Sequence, residues 1–170
     1  MAQLDPDSLA RHIDRLYRAA WALCGSRADA EDLVQETYAR VLSGPRFLRG
    51  EDELAYLLAA LRNTFLSSRR RAARRPALIG RPIEELPLPS EDAGVAPEAA
   101  FEATEVLGAI SRLPDNFRMA LVAVDVVGLS YGEAAKVLGT REATITSRLY
   151  RARQQVSRML SAEAAKKTGD

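Results

Sequence analysis

Apolar residues recur at helical spacing along most of the chain. Over Asp52–Arg75, residues Leu54, Leu57, Leu58, Leu61 and Phe65 stand at i, i+3, i+4, i+7 and i+11, the period of one buried helix stripe. Tyr56, Asn63 and Arg70 fall seven apart on the opposite side, with Ser67 beside them. Ahead of this stretch the pattern predicts a helix over Asp7–Leu23, with Leu9, Ile13, Leu16, Tyr17 and Ala20 inward, ended by Gly25. A second runs over Arg27–Leu42, capped by Ser26, with Ala30, Val34, Thr37, Tyr38 and Val41 inward, and Ser43-Gly44-Pro45 stops it.

Beyond Pro97 the period returns in four helices. They are Glu98–Arg112 (Phe101, Val106, Leu107 and Ile110 inward), Asp115–Val127, a short Tyr131–Leu138 capped by Ser130, and Arg141–Ser161 (Ile145, Leu149, Ala152, Val156 and Leu160 inward). Strand alternation is absent. The expected fold is all-α: a three-helix bundle over residues 1–75 and a four-helix domain over 98–162, with 163–170 a disordered tail. Between them, residues 76–97 hold Pro76, Pro82, Pro87, Pro89, Pro97, Gly80 and Gly94 without periodicity, which predicts a flexible, partly extended linker.

Composition narrows the class. At 170 residues, 47% hydrophobic and 28% charged, the chain reads as soluble and globular. No apolar run approaches the ~20 residues of a membrane span. The N-terminal stretch lacks the basic start and apolar core of a secretory signal, so membrane insertion is not expected and the cytoplasm is. Cys24 and His12 are the only cysteine and histidine, which excludes an internal disulfide and a zinc cluster. Both are read as structural filler. No metal or cofactor is expected.

The net charge of +1 conceals blocks. Arg62–Arg75 carries six arginines and no acid: Arg62, Arg69, Arg70, Arg71, Arg74 and Arg75. Pro82–Ser111 carries seven acids and no base, and Arg141–Arg158 five arginines against Glu142. Two basic patches around an acidic stretch suggest two contacts with nucleic acid. On the long helix, the ring of Tyr56, the amide of Asn63 and the guanidinium of Arg70 suit an unpaired strand; a solvated basic helix end would look the same in charge alone.

Ser130–Arg153 has the anatomy of a helix-turn-helix. Ala134 and Ala135 permit close helix contact, and Gly139 supplies the turn. Thr144, Ser147, Arg148 and Arg151 lie off the apolar stripe of the following helix, the residue types that major-groove readout uses. Arg141 precedes that helix, and Arg153 and Arg158 suit phosphate. An ordinary helical hairpin with solvating arginines is the alternative.

The second helix is the counterweight. Asp29, Asp32 and Glu36 gather on its outer side, flanked by Glu31 and Gln35. They would repel phosphate. No nucleophile or histidine stands with them, so acid/base catalysis is not expected, and the chain is not read as an enzyme. A solvated face, or a docking face for a basic protein surface, remains.

Together these motifs resemble the small RNA polymerase sigma factors of the extracytoplasmic-function class, over about Leu9 to Leu160. Ala30–Leu42 (AEDLVQETYARVL) resembles the family's segment that docks on the clamp helices of the polymerase's largest subunit. Tyr56–Arg71 (YLLAALRNTFLSSRRR) resembles the segment that opens and reads the minus-ten promoter element, and Arg112–Arg153 the helix-turn-helix for the minus-thirty-five element.

The resemblance implies core polymerase as partner, at its clamp helices and flap region, through Asp29, Glu31, Asp32, Gln35 and Glu36. It implies single-stranded minus-ten contacts by Tyr56, Arg62, Asn63, Ser67, Arg69, Arg70 and Arg71. Duplex minus-thirty-five contacts fall to Arg141, Thr144, Ser147, Arg148, Arg151 and Arg153. Control by an anti-sigma protein is implied as well. The chain departs from the family in having Val41 or Leu42, and Tyr56, where tryptophan is common. Gly44–Gly50 is in place to help hold a flipped base. The rival expectations are a plain helix-turn-helix regulator, which leaves the acidic helix without work, and a sigma-like decoy that binds an anti-sigma protein.

Overall fold

In the computed structural model, which describes residues 2–3, 6–44, 47–48, 52–75 and 97–169, the apolar stripes become helices. They are α1 (Pro6–Ala10), α2 (Ile13–Cys24), α3 (Arg27–Ser43), α4 (Glu53–Arg74), α5 (Pro97–Ser111), α6 (Asp115–Leu121), α7 (Tyr131–Leu138) and α8 (Glu142–Thr168). A two-residue antiparallel ladder, β1 (Ala2–Gln3) with β2 (Phe47–Leu48), pairs Ala2 with Leu48 and Gln3 with Phe47. No apolar alternation marks it, so an all-helical expectation passes over it. The expected linker, apart from Pro97, and much of the Gly44–Gly50 loop lie outside the described residues.

The first expected helix is divided. The carbonyl of Leu9 accepts from His12 N at 3.1 Å and from the Tyr38 hydroxyl at 2.9 Å, so a tight turn replaces the helical bond. His12 Nε2 sits 3.2 Å from a Glu53 carboxylate oxygen, and the Ser8 hydroxyl bonds the same carboxylate. The turn rotates Ile13 outward to 47% exposure, against the expectation that it faces the core.

α2 is the hub. Its Leu16, Ala19, Ala20, Ala22 and Leu23 are buried. The alanines let α3 and α4 pack on one side and α5, α6 and the segment after α6 on another. One continuous apolar core therefore joins helices from both ends of the chain. The two expected helical groups are both present, and they share this core. What binds them is the small-residue surface of α2 and a buried cation: Arg118 of α6 donates to the carbonyl of Leu23 at 3.1 Å and to that of Ser111 at 2.8 Å.

Three features of the second half were not in the apolar pattern. Val122–Val126 forms a π-helical turn, with Val127 N bonded to the Val122 carbonyl at 2.9 Å, where one continuous helix was expected. Phe101 and Val106 of α5 are exposed rather than inward. α8 continues to Thr168 where a frayed tail was expected, because Arg112 bonds Glu163 at 2.5 Å and Lys167 bonds Glu105 while lying 5.0 Å over the Phe101 ring.

The turn motif forms as its residues require. Ser130 and Glu133 make a reciprocal capping box on α7, and Gly139 ends α7 at φ +62°.

Candidate nucleic-acid interface

The acidic face comes first in the chain. Ser26 caps α3 by accepting from Asp29 N at 3.3 Å, and Arg27 pairs with Glu31 at 2.9 Å. Asp29, Glu31, Asp32 and Gln35 are exposed on one side, with Glu36 half-buried beside them. Glu36 accepts from Arg40 at 2.6 Å and from Arg71 of α4 at 2.7 Å. Slight burial pushes its carboxyl up, but the two guanidiniums outweigh it and hold the group below the usual carboxylate range. The docking face and the basic helix thus meet at one carboxylate.

On α4, Asp52 caps the start by accepting from Ala55 N at 3.0 Å. Leu54, Leu57, Leu58, Leu61 and Phe65 are buried, as their spacing requires. Tyr56, Asn63 and Arg70 line the open side, with Ser67 half-buried next to them. The remaining arginines do other things. Arg62 is half-buried, and its Nε has no hydrogen-bond partner among the described residues. Arg69 makes two bonds to the carboxylate of Asp115, at 2.9 and 3.0 Å, and its guanidinium lies 5.6 Å from the Phe65 ring centroid. Arg71 is held by Glu36.

On the helix-turn-helix, Arg141 occupies the residue before α8 and is exposed, as are Ser147 and Arg151; Thr144 and Arg148 are half-buried. Arg153 does not point to open solvent alone. It grips Asp125 of the π-helical turn with bonds of 2.9 and 2.7 Å, which raises its pKa further and braces α8 against that turn. Sequence reasoning missed Asp125, although a lone acid inside the apolar run Leu121–Val127 is a visible signal. It also missed Tyr150, 64% exposed at the same face as Ser147 and Arg151. Tyr150, Tyr131, Thr146, Gln154 and Arg158 border an open hollow beside the recognition helix.

One further group is placed by packing. Cys24 is half-buried at the end of α2, and burial, helped by Asp29, pushes its thiol up to about 11 against the pull of Arg118. Among the described residues no helix is long and apolar enough to cross a membrane.

Similarity to known proteins runs along both halves. A family model described as sigma-70 region 2 matches residues 9–75, and one described as sigma-70 region 4 matches residues 103–156. The chain is 36% identical to the extracytoplasmic-function sigma factor SigE of Mycolicibacterium smegmatis over 88% of its own length, and spans 59% of that relative. It is 32% identical to the sigma factor EcfG of Rhodopseudomonas palustris, covering 96% of this chain and 88% of that one. The fold matches the sigma factor RpoE of Bartonella quintana, solved with the anti-sigma factor NepR, at a TM-score of 0.73 and 28% identity, covering 91% of this chain and 95% of that one.

Proposed function

Because this chain belongs to the extracytoplasmic-function class of sigma-70-family RNA polymerase sigma factors, we propose that three of its helix faces divide the work of promoter-directed initiation. The acidic face of α3 (Asp29, Glu31, Asp32, Gln35, Glu36) docks on the polymerase core, where carboxylates meet a basic surface. The strip Tyr56–Asn63–Ser67–Arg70 on α4, joined by Arg62, Arg69 and Arg71, captures unpaired bases and phosphates of the minus-ten element. The exposed face of α8 (Arg141, Thr144, Ser147, Arg148, Arg151) reads the minus-thirty-five duplex, and Arg153 holds that helix in place.

Strand opening needs no covalent chemistry from this chain. A surface that binds unpaired bases better than paired ones shifts the duplex toward the open state by its differential affinity. Nucleotidyl transfer remains with the polymerase, and this chain acts in the cytoplasm. The division proposed is residues 1–75 for core docking and the minus-ten element, 98–162 for the minus-thirty-five element, and the intervening stretch as the tether. The apolar groove between α5 and α8, bordered by Val106, Ile110, Val126, Val156 and Leu160, suits the flap region of the polymerase. The complex of RpoE with NepR supports an anti-sigma protein as the controlling partner.

The observation that carries the reading is the outward placement, on one core, of a carboxylate face on α3 and of separate arginine-bearing faces on α4 and α8. Run-off transcription with core polymerase tests it. Promoter-dependent transcript should appear only when this protein is added. A plain regulator or a decoy would add none.

A further inference from the structure

Boxes at minus ten and minus thirty-five lie ~25 base pairs apart, about 85 Å along B-form DNA. A packed chain of 170 residues has a radius of gyration of about 16 Å and a diameter of roughly 40 Å. While α4 and α8 share one core, they cannot occupy both boxes. Residues 76–96, fully extended, reach about 70 Å, which suffices once the two helix groups part.

What holds the groups together is a specific cluster. Arg118, only 8% exposed, reaches from α6 to the end of α2, bonding Leu23 O at 3.1 Å, and its second nitrogen bonds Asp115. Asp115 receives Arg69 of α4 through both carboxylate oxygens, at 2.9 and 3.0 Å. The Phe65 ring lies against both guanidiniums, each 5.6 Å from its centroid. Alongside, Gly25 closes α2 at φ +79°, and a Cβ there would stand 2.8 Å from Ser111 Oγ of α5. The two groups approach so closely only because this position is glycine.

We propose that Asp115, Arg118, Leu23, Phe65 and Arg69 form an intramolecular latch that occupies Arg69 and keeps α4 and α8 from engaging the two promoter boxes together. The proposal rests on the promoter-recognition role assigned to α4 above. Asp115 takes the place of a phosphate on Arg69, whose Nη1 donates to both carboxylate oxygens. The closed population lowers apparent affinity for the two-box promoter by the fraction that is closed, and docking on polymerase and DNA draws the chain open. Arg69 is thus shared between the closed state and the DNA-bound state, and cannot serve both.

Two full-length variants test this by different routes. Asp115→Asn removes the partner of Arg69 and leaves Arg118 its carbonyls. Ser111→Leu wedges the approach to Gly25 and alters no charge. Neither substitution lies on the DNA or polymerase faces. X-ray scattering of the free protein should give a radius near 16 Å for the unaltered chain and a larger one for both variants. Both variants should form the complex with core polymerase and promoter at lower concentration, Asp115→Asn by about two- to fivefold, the range expected for losing an exposed ion pair. The latch is overturned by an unaltered chain that is already extended, by variants that stay compact, or by expansion without tighter promoter complexes. If no variant and not the unaltered chain forms a promoter complex with core polymerase, the functional reading falls, and the scattering alone still decides whether the chain is latched.

Discussion

A guanidinium removed from water needs partners in the protein; Arg118 finds two carbonyls, a carboxylate and a ring, while its Nε has none among the described residues. Removing it leaves Leu23 O and Ser111 O short of donors. Arg118→Ala should therefore cost about 2–4 kcal/mol of unfolding free energy, read from a urea titration. Asp115 carries a pH signature. Partial burial pushes its carboxyl up, but bonds from Arg69 and Arg118 outweigh that and hold it below the usual carboxylate range. A depressed folded-state pKa gives stability that is present above the unfolded value of about 3.9 and is lost as pH falls through the folded value. The urea midpoint should drop below about pH 4, and drop less in Asp115→Asn; equal acid sensitivity in both would show that the pair carries no such linkage. The lone charges Arg118 and Asp125 stand beside apolar residues in the sequence, yet apart from Asp115 on the same helix their partners were not legible, because Leu23, Phe65, Ser111 and Arg153 lie on other helices.

Helix existence was legible because burial imposes a 3.6-residue period that the apolar positions must obey. Leu54 through Phe65 and Ile145 through Val156 are buried in the register their spacing required. Local exceptions were illegible where a distant residue takes part: the Tyr38 hydroxyl takes the Leu9 carbonyl at the break between α1 and α2, and Arg153 pairs with Asp125 beside the π-helical turn. The same limit applies to the recognition helix. Spacing put Arg148 and Arg151 off the apolar stripe alike, but only Arg151 is fully open. Arg151→Ala should therefore reduce discrimination of the minus-thirty-five box by about 1–3 kcal/mol, measured as the affinity ratio between cognate and scrambled duplexes. An unchanged ratio would remove Arg151 from readout.

For the whole molecule, the charged faces point outward while α2 ties the helix groups into one body. The acidic face of α3 stays open in this arrangement, so polymerase docking does not require the groups to separate first. Asp32 is exposed and makes no side-chain ion pair within the described residues. Reversing it in Asp32→Lys should weaken core binding by roughly tenfold in a fluorescence titration, more at low salt than at high, and leave the melting temperature within a few degrees of the unaltered chain. Core affinity that does not change would place docking elsewhere.

The order of stripes, caps and turn glycines fixed in advance which segments are helical and which faces carry charge, since both follow from local periodicity and side-chain chemistry. The motifs that resemble sigma factors are local in the same sense. Packing across the chain was decided only in three dimensions. Alanines on α2 admit a second set of helices, Gly25 permits their close approach, and Arg69 turns from solvent to Asp115. Those outcomes depend on distances between residues far apart in sequence, which no one-dimensional period encodes.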